Sequence, residues 1–193
     1  KKLKINYLYL PAYEDIYSFR PKNKIYLDKF SKQLCGKFRK GHFEGVLNVV
    51  NRFLEIIKPK YIFLGLKDFQ QLILISRHIS ANNINSKVIK CRTIREKNGI
   101  PCSTRNLNLN NKQLLIASNI YKYLINLKKK IIKNYKYFKI NIIKRDLFLL
   151  GATKIDYIES IDLKNLKKIK SKKKGFKLFA AFYIKQIRLI DNI

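Results

Sequence analysis

Methionine and tryptophan are both absent from this chain of 193 residues, and only 12 of its side chains are acidic. A chain that opens Lys1-Lys2 with no methionine anywhere reads as incomplete, or as trimmed at its front. Its three cysteines, Cys35, Cys91 and Cys102, form no C-x-x-C pair, and its two histidines, His42 and His78, stand on unrelated segments. That spacing excludes a zinc site or a disulfide framework and leaves reduced thiols in a cytoplasmic protein. The longest apolar runs, residues 72–75 and 147–150, fall far short of the roughly 20 residues that cross a bilayer. No basic-then-apolar leader precedes them, so export is not expected.

The shortage of acids leaves 43 Lys and Arg against 12 Asp and Glu, a formal charge of +31. Such a field attracts nucleic acid, anionic membrane and phosphorylated small molecules alike. Lys, Ile, Asn, Tyr and Phe are all encoded by A/T-rich codons, and codon bias accounts for the charge without a dedicated nucleic-acid surface. The expected partners therefore include no specific nucleic acid and no membrane. Hydrophobic residues make up 47% and aromatics 12%, enough for a real core in one generous domain or two small ones.

Along the chain, residues 5–10 read as a short strand stopped by Pro11. Val46, Val49, Val50, Phe53, Leu54 and Ile57 recur at helical spacing, with Pro59 beyond the end. Residues 61–64 form a compact apolar run closed by Gly65. Asp68 then caps a helix reaching about Ser80, and residues 87–91 read as another strand. Strand, helix and strand within about thirty residues is the size of a βαβ crossover. The expected fold is α/β: a parallel sheet with covering helices in residues 1–93, as part of a Rossmann-like nucleotide domain. A small α+β lid follows in residues 94–193. In it Asn98-Gly99 signals a tight hairpin, residues 111–127 read as a long helix, and a lysine cluster follows at 128–130. Residues 137–143, 147–150, 177–184 and 187–190 read as strands, with a lysine-dense stretch at 164–174 before the Gly175 turn.

Three windows suit anions. Gly65, Leu66, Lys67, Asp68 and Gln71 stand where a strand passes into a helix, whose free N–H groups and positive dipole seat a phosphate. Asp68 there either caps the helix or accepts from a ribose hydroxyl, and Gln71 is one turn beyond Lys67. Arg39, Lys40 and His42 gather cations before a second helix. Ser103, Thr104 and Arg105 place two hydroxyls beside a forked guanidinium. Each window alone is also what a solvated loop or an ordinary helix cap looks like, and together they indicate only a phosphorylated ligand.

Their sequences are more specific. CGKFRKGHFEGVLNVVNRFLEII from Cys35, YIFLGLKDFQQLILISRHI from Tyr61 and TIREKNGIPCSTRNLNL from Thr93 resemble the pantothenate synthetase (pantoate–β-alanine ligase) family. That family carries R-P-G-H-F-x-G-V, G-E-K-D-x-Q-Q and R-E-x-D-G-L-x-x-S-S-R-N-x-x-L in the same order and spacing. RLIDN at Arg188 resembles the family's last strand. The resemblance implies an ATP-dependent ligase of the HIGH-signature nucleotidyltransferases. It joins pantoate to β-alanine through a pantoyl adenylate, with Mg²⁺ beside the nucleotide, in a cytoplasmic homodimer.

The resemblance also implies roles. Gly65, Leu66, Lys67 and Asp68 would contact ATP, Ile94 its adenine, and Cys102, Ser103, Thr104 and Arg105 would form a mobile phosphate loop. Gln71 would hold pantoate, and His42 and Arg39 would lie against the phosphates, with His42, Lys67 and Arg105 as the catalytic residues. Lys40, Leu66, Thr104 and Asn98 depart from the family's Pro, Glu, Ser and Asp, and the Leu66 change deletes a carboxylate beside the nucleotide. The family's M-G-x-L-H-x-G-H and N-P-x-Q-F segments belong before Lys1. The expectation is thus the rear of a nucleotide domain with its C-terminal domain, inactive without that segment. The alternatives are an inactive α/β remnant and a non-specific nucleic-acid-binding module.

Overall fold

Residues 6–169, 171 and 175–193 are described by the computed structural model. Their helices and strands follow one another as α1 (Tyr13–Tyr17), α2 (Leu34–Phe38), α3 (His42–Ile57), β1 (Tyr61–Gly65), α4 (Phe69–Ala81), β2 (Lys87–Cys91), α5 (Asn111–Lys133), α6 (Ile140–Leu149), β3 (Lys154–Asp162), β4 (Phe176–Ile184) and β5 (Ile187–Asn192).

β1 and β2 pair in parallel, Tyr61 opposite Lys87 and Gly65 opposite Cys91. Parallel neighbours need a crossover connection, and α4 supplies it. Ile62, Leu64 and Val88 on one face of this pair pack on Leu47, Leu54, Ile75 and Ile79 from α3 and α4. The apolar stripe of α3 is rotated from the expected one. Leu47, Asn51 and Leu54 are its buried centre, while Val46, Val49, Val50 and Phe53 lie at its flanks and Ile57 is exposed. Asn51 is buried because its amide is fully engaged: Oδ1 pairs with His78 Nε2 at 3.0 Å and Nδ2 donates to Glu55 at 3.0 Å. A hydropathy pattern cannot count such a residue as core.

The antiparallel sheet β3-β4-β5 is covered on both sides. Strand side chains alternate between faces, and β4 divides accordingly. Leu178, Ala180, Phe182 and Ile184 join a cluster with Ile120, Leu124 and Ile131 of α5 and Ile143 and Leu147 of α6. Phe179 and Ala181 turn the other way, onto Phe30, Leu34, Cys35, Phe43, Phe69 and Leu74. The sheet therefore packs against the helices that surround the end of β1.

Three sequence readings are corrected. Residues 137–143 and 147–150 are not strands: they fall in a 3-10 turn, Tyr135–Tyr137, and in α6, whose Ile143 and Leu147 meet the core one turn apart. Helical spacing of two core contacts overrides the β-branched composition. The strand β3 is absent from the sequence reading, because it buries Asp156, Ser160 and Asp162 among its apolar residues. In the strand expected at 5–10, Ile5 lies outside the described residues, and Tyr7 to Leu10 have no regular structure and are 49–94% exposed. The lysine-dense stretch at 164–174 lies partly outside the described residues, at 170 and 172–174. The lysines at 128–130 continue α5, with Leu127 and Ile131 on its buried face.

Candidate functional site

Gly65 ends β1, Leu66–Asp68 make one 3-10 turn, and α4 starts at Phe69. Asp68 holds the N-cap position of α4 but makes no side-chain cap bond, so its exposed carboxylate faces the cleft. Lys67 is half-buried, and its Nζ donates to the Cys102 carbonyl at 2.9 Å. Burial pushes its ammonium below the usual lysine range; Asp68 opposes the shift and Arg105 adds to it.

The second wall is the corner before α3. Gly41 caps that helix at φ +73°, a left-handed conformation that side chains rarely adopt. Arg39 Nη1 lies 2.7 Å from His42 Nε2. A guanidinium only donates, so Nε2 accepts and the ring is neutral. Burial is the main cause that pushes the His42 pKa down, with Arg39, Arg188 and Arg105 adding their charge.

The third wall is the hairpin joined by the Arg95–Pro101 bridge. Gly99 turns it at φ +89°, and a Cβ there would run into the Tyr121 ring. Beyond it, Ser103 Oγ accepts from Arg105 N at 3.3 Å and starts the turn Thr104–Asn108.

Two cavities meet at Lys67. One is lined by Arg39, His42, Lys67, Asp68 and Gln71 together with Cys35 and Tyr157. The other is lined by Lys67, Ser103, Arg105, Tyr121, Phe182 and Arg188. The expected site residues Arg39, His42, Lys67, Asp68, Gln71, Ser103 and Arg105 are thus brought together. Gly65, Leu66, Ile94, Cys102 and Thr104 line neither cavity. Ile94 is 70% exposed, Leu66 packs its side chain on the Phe69 and Phe179 cluster, and Cys102 reaches Lys67 through its carbonyl. Gln70, beside Gln71, is structural: it is buried and donates to the Phe30 and Gln33 carbonyls at 2.7 and 2.8 Å.

Several residues at these cavities are not singled out by the sequence. Arg188 Nε donates to buried Asp156 at 2.7 Å, and its Nη2 reaches Cys35 Sγ at 3.7 Å. Burial disfavours its charge, but the Asp156 bond holds it protonated. Cys35 Sγ lies 3.0 Å from Tyr157 Oη, whose ionisation is suppressed by burial first and by Cys35 second. Asp191 grips Arg95 with two bonds of 2.7 and 2.9 Å. The RLIDN match is the available signal, but it marks a strand and not these contacts. Among the described residues no group of three His, Cys, Asp or Glu side chains could hold a metal ion. None of their helices is long and apolar enough to cross a membrane.

The family model for Pantoate-beta-alanine ligase matches residues 1–193. Pantothenate synthetase from Sulfurihydrogenibium sp. (strain YO3AOP1) is 35% identical over 198 residues, covering 100% of this chain and 70% of that protein. The one from Ruthia magnifica subsp. Calyptogena magnifica is 33% identical, covering 100% and 69%. The crystal structure of pantothenate synthetase from Thermus thermophilus shares the fold, with a TM-score of 0.83 at 24% identity over 95% of this chain and 67% of that one. Pantoate-beta-alanine ligase from Francisella tularensis, solved with beta-gamma ATP and beta-alanine, superposes with a TM-score of 0.71 at 34% identity, covering 93% and 61%.

Proposed function

Since this chain belongs to the pantoate-beta-alanine ligase family, we propose that its cleft activates pantoate with ATP and passes the acyl group to β-alanine. A carboxylate oxygen of pantoate attacks the α-phosphorus, the bond to the β-phosphate oxygen breaks, and pyrophosphate leaves. The β-alanine amine then attacks the acyl carbon of the pantoyl adenylate, loses a proton, and AMP departs with the former carboxylate oxygen. Neither step needs a protein nucleophile. Both need reactants held in line and negative charge neutralised where it grows.

The observation that carries this reading is the position of Lys67, at the meeting of the two cavities with Arg39, His42 and Arg105 around it. Lys67 and Arg105 neutralise the phosphates, with Ser103 and Thr104 in the loop that folds over them. His42, neutral and held by Arg39, offers its other ring nitrogen to a phosphate oxygen. Gln71 lines the same cavity as His42 and holds pantoate, and Ile94 meets the adenine. Gly65, Leu66 and Cys102 contribute main chain. Asp68, the cleft carboxylate that has no cap bond, would help hold Mg²⁺, which would supply charge neutralisation at the phosphates. We further propose a cytoplasmic homodimer, divided at residue 93 into nucleotide domain and lid. Turnover requires the H-x-G-H segment that the resemblance implies, whether fused or separate.

The test is pyrophosphate release from ATP with pantoate and Mg²⁺, by the 193 residues with and without that segment taken from a relative. Release is expected only with it. Robust turnover by the 193 residues alone overturns the two-part site, and no release in either arm overturns the ligase reading.

A further inference from the structure

The carbonyls of Leu66 and Lys67 lie past the last paired residue of β1, Gly65 opposite Cys91. They stand in the 3-10 turn Leu66–Asp68 that links the strand to α4, outside the sheet ladder. Both are taken by one side chain from the far end of the chain: Asn192 Nδ2 donates to Leu66 O at 2.8 Å and to Lys67 O at 2.7 Å. We propose that Asn192 is a positioning residue for Lys67, fixing the strand-to-helix turn from which Lys67 reaches the phosphates. The proposal rests on the reading of Lys67 given above.

The geometry fits an amide and little else. Asn192 is 3% exposed, both its N–H bonds are used, and its Oδ1 accepts from Lys177 Nζ at 2.6 Å, which fixes the orientation of the amide. An ammonium cannot face an N–H₂ group, so the reversed orientation would fail at all three contacts. The backbone of Asn192 is itself held, by pairing with Phe179 in the sheet and by an N–H bond to Asp191 Oδ1 at 2.7 Å.

Asp191 continues the chain of contacts. Its carboxylate takes both ends of Arg95, and Arg95 also donates to Gly99 O at 3.0 Å, across the hairpin turn. Cys102 N donates to Ile94 O at 3.0 Å, and Cys102 O accepts from Lys67 Nζ at 2.9 Å. The path closes on itself: Asn192 holds the main chain of Lys67, the hairpin holds its ammonium, and Asp191 joins the two holders. Displacement of a reacting group by about 1 Å can cost about 100-fold in rate, so a flexible lysine benefits from being fixed at both ends.

The experiment is lysine acylation read residue by residue by mass spectrometry on the 193-residue chain. Wild type, Asn192→Ala and Asn192→Asp are compared, each with and without millimolar Mg-ATP. Asn192→Asp keeps the side chain's size and its neighbour Lys177 but removes both donors, so it serves if Asn192→Ala does not fold. In either variant Lys67 is expected to react about tenfold faster, the factor matching roughly 1.4 kcal/mol of lost hydrogen bonding. Lys154 and Lys185, exposed on the same sheet, keep their wild-type rates. An unchanged Lys67 rate in a folded variant overturns the proposal. So does a rise shared by Lys154 and Lys185, which marks a merely structural role. Protection of wild-type Lys67 by Mg-ATP is a separate readout. If the variants free Lys67 but ATP never protects it even with the H-x-G-H segment supplied, the positioning stands and the phosphate role of Lys67 fails.

Discussion

β4 buries seven of its nine residues and β1 buries none of its five. The antiparallel sheet has a cluster on each face, whereas the parallel pair is packed on one face by α3 and α4 and leaves Phe63 68% exposed on the other. Yet Lys67 stands at the end of the thinly packed strand. Mobile catalytic loops are drawn from the less stable parts of proteins. Here the support comes across the molecule, through Asn192 and Asp191 of the well-packed sheet. The thinly packed strand and the well-packed sheet thus meet at the Phe69 and Phe179 cluster and at these hydrogen bonds.

The largest test of that contrast is a pair of truncations. Phe182→Ala, at 4% exposure, should cost about 3–5 kcal/mol in urea unfolding. Phe63→Ala on the bare face of β1 should stay within about 0.5 kcal/mol. Equal losses would mean that the face of β1 is packed after all. Next comes the ion pair beneath the cavities. Asp156 and Arg188 side chains are 2% and 12% exposed, and Asp156→Ala leaves a buried guanidinium unpaired, at about 3–5 kcal/mol. By contrast Glu159→Gln, opposite the largely exposed Lys168, should cost under about 1 kcal/mol.

A smaller effect follows from His78 in the helical layer. Burial lowers its pKa below the ordinary 6.5, with Glu55 opposing. Its ring stays neutral in the fold, Nδ1 accepting from Tyr26 N at 3.3 Å. The unfolded chain takes up a proton that the folded one refuses, so stability is full above about pH 6.5 and falls as pH drops below it. Urea midpoints at about pH 7.5 and about pH 5.5 should differ, and His78→Gln should narrow the gap. An unchanged gap would remove His78 from the account. The smallest effect concerns the charge of +31. Binding to RNA or DNA should be sequence-independent and collapse as salt rises, and one sequence held tightly at physiological salt would contradict it.

Much of the parallel half is legible in the sequence. β1, α4 and β2 fall where the apolar runs and the Gly65 and Asn82 breaks put them. The anion windows at Lys67, His42 and Arg105 converge because each lies at an element end, where sequence punctuation is strongest. What stays hidden depends on pairs distant in sequence. Asp156, Asn51 and Asn192 are polar residues buried only because Arg188, His78 and the Lys67 turn arrive to satisfy them. A one-dimensional pattern scores such residues as surface, so it passes over β3 and displaces the stripe of α3. It mistakes α6 for a related reason: a short Ile-rich segment is decided by what it packs on.

The central claim is that Lys67, held from the other sheet, neutralises the phosphates of ATP during activation of pantoate. Its most direct test is pantoate-dependent pyrophosphate release by wild type and Lys67→Ala, each supplied with the H-x-G-H segment and Mg-ATP. The account predicts that the variant keeps its unfolding midpoint but releases pyrophosphate about 10²–10³ times more slowly, the usual loss of one preorganised charge at a developing anion. Equal rates in the two proteins, or release that does not need pantoate, would contradict it.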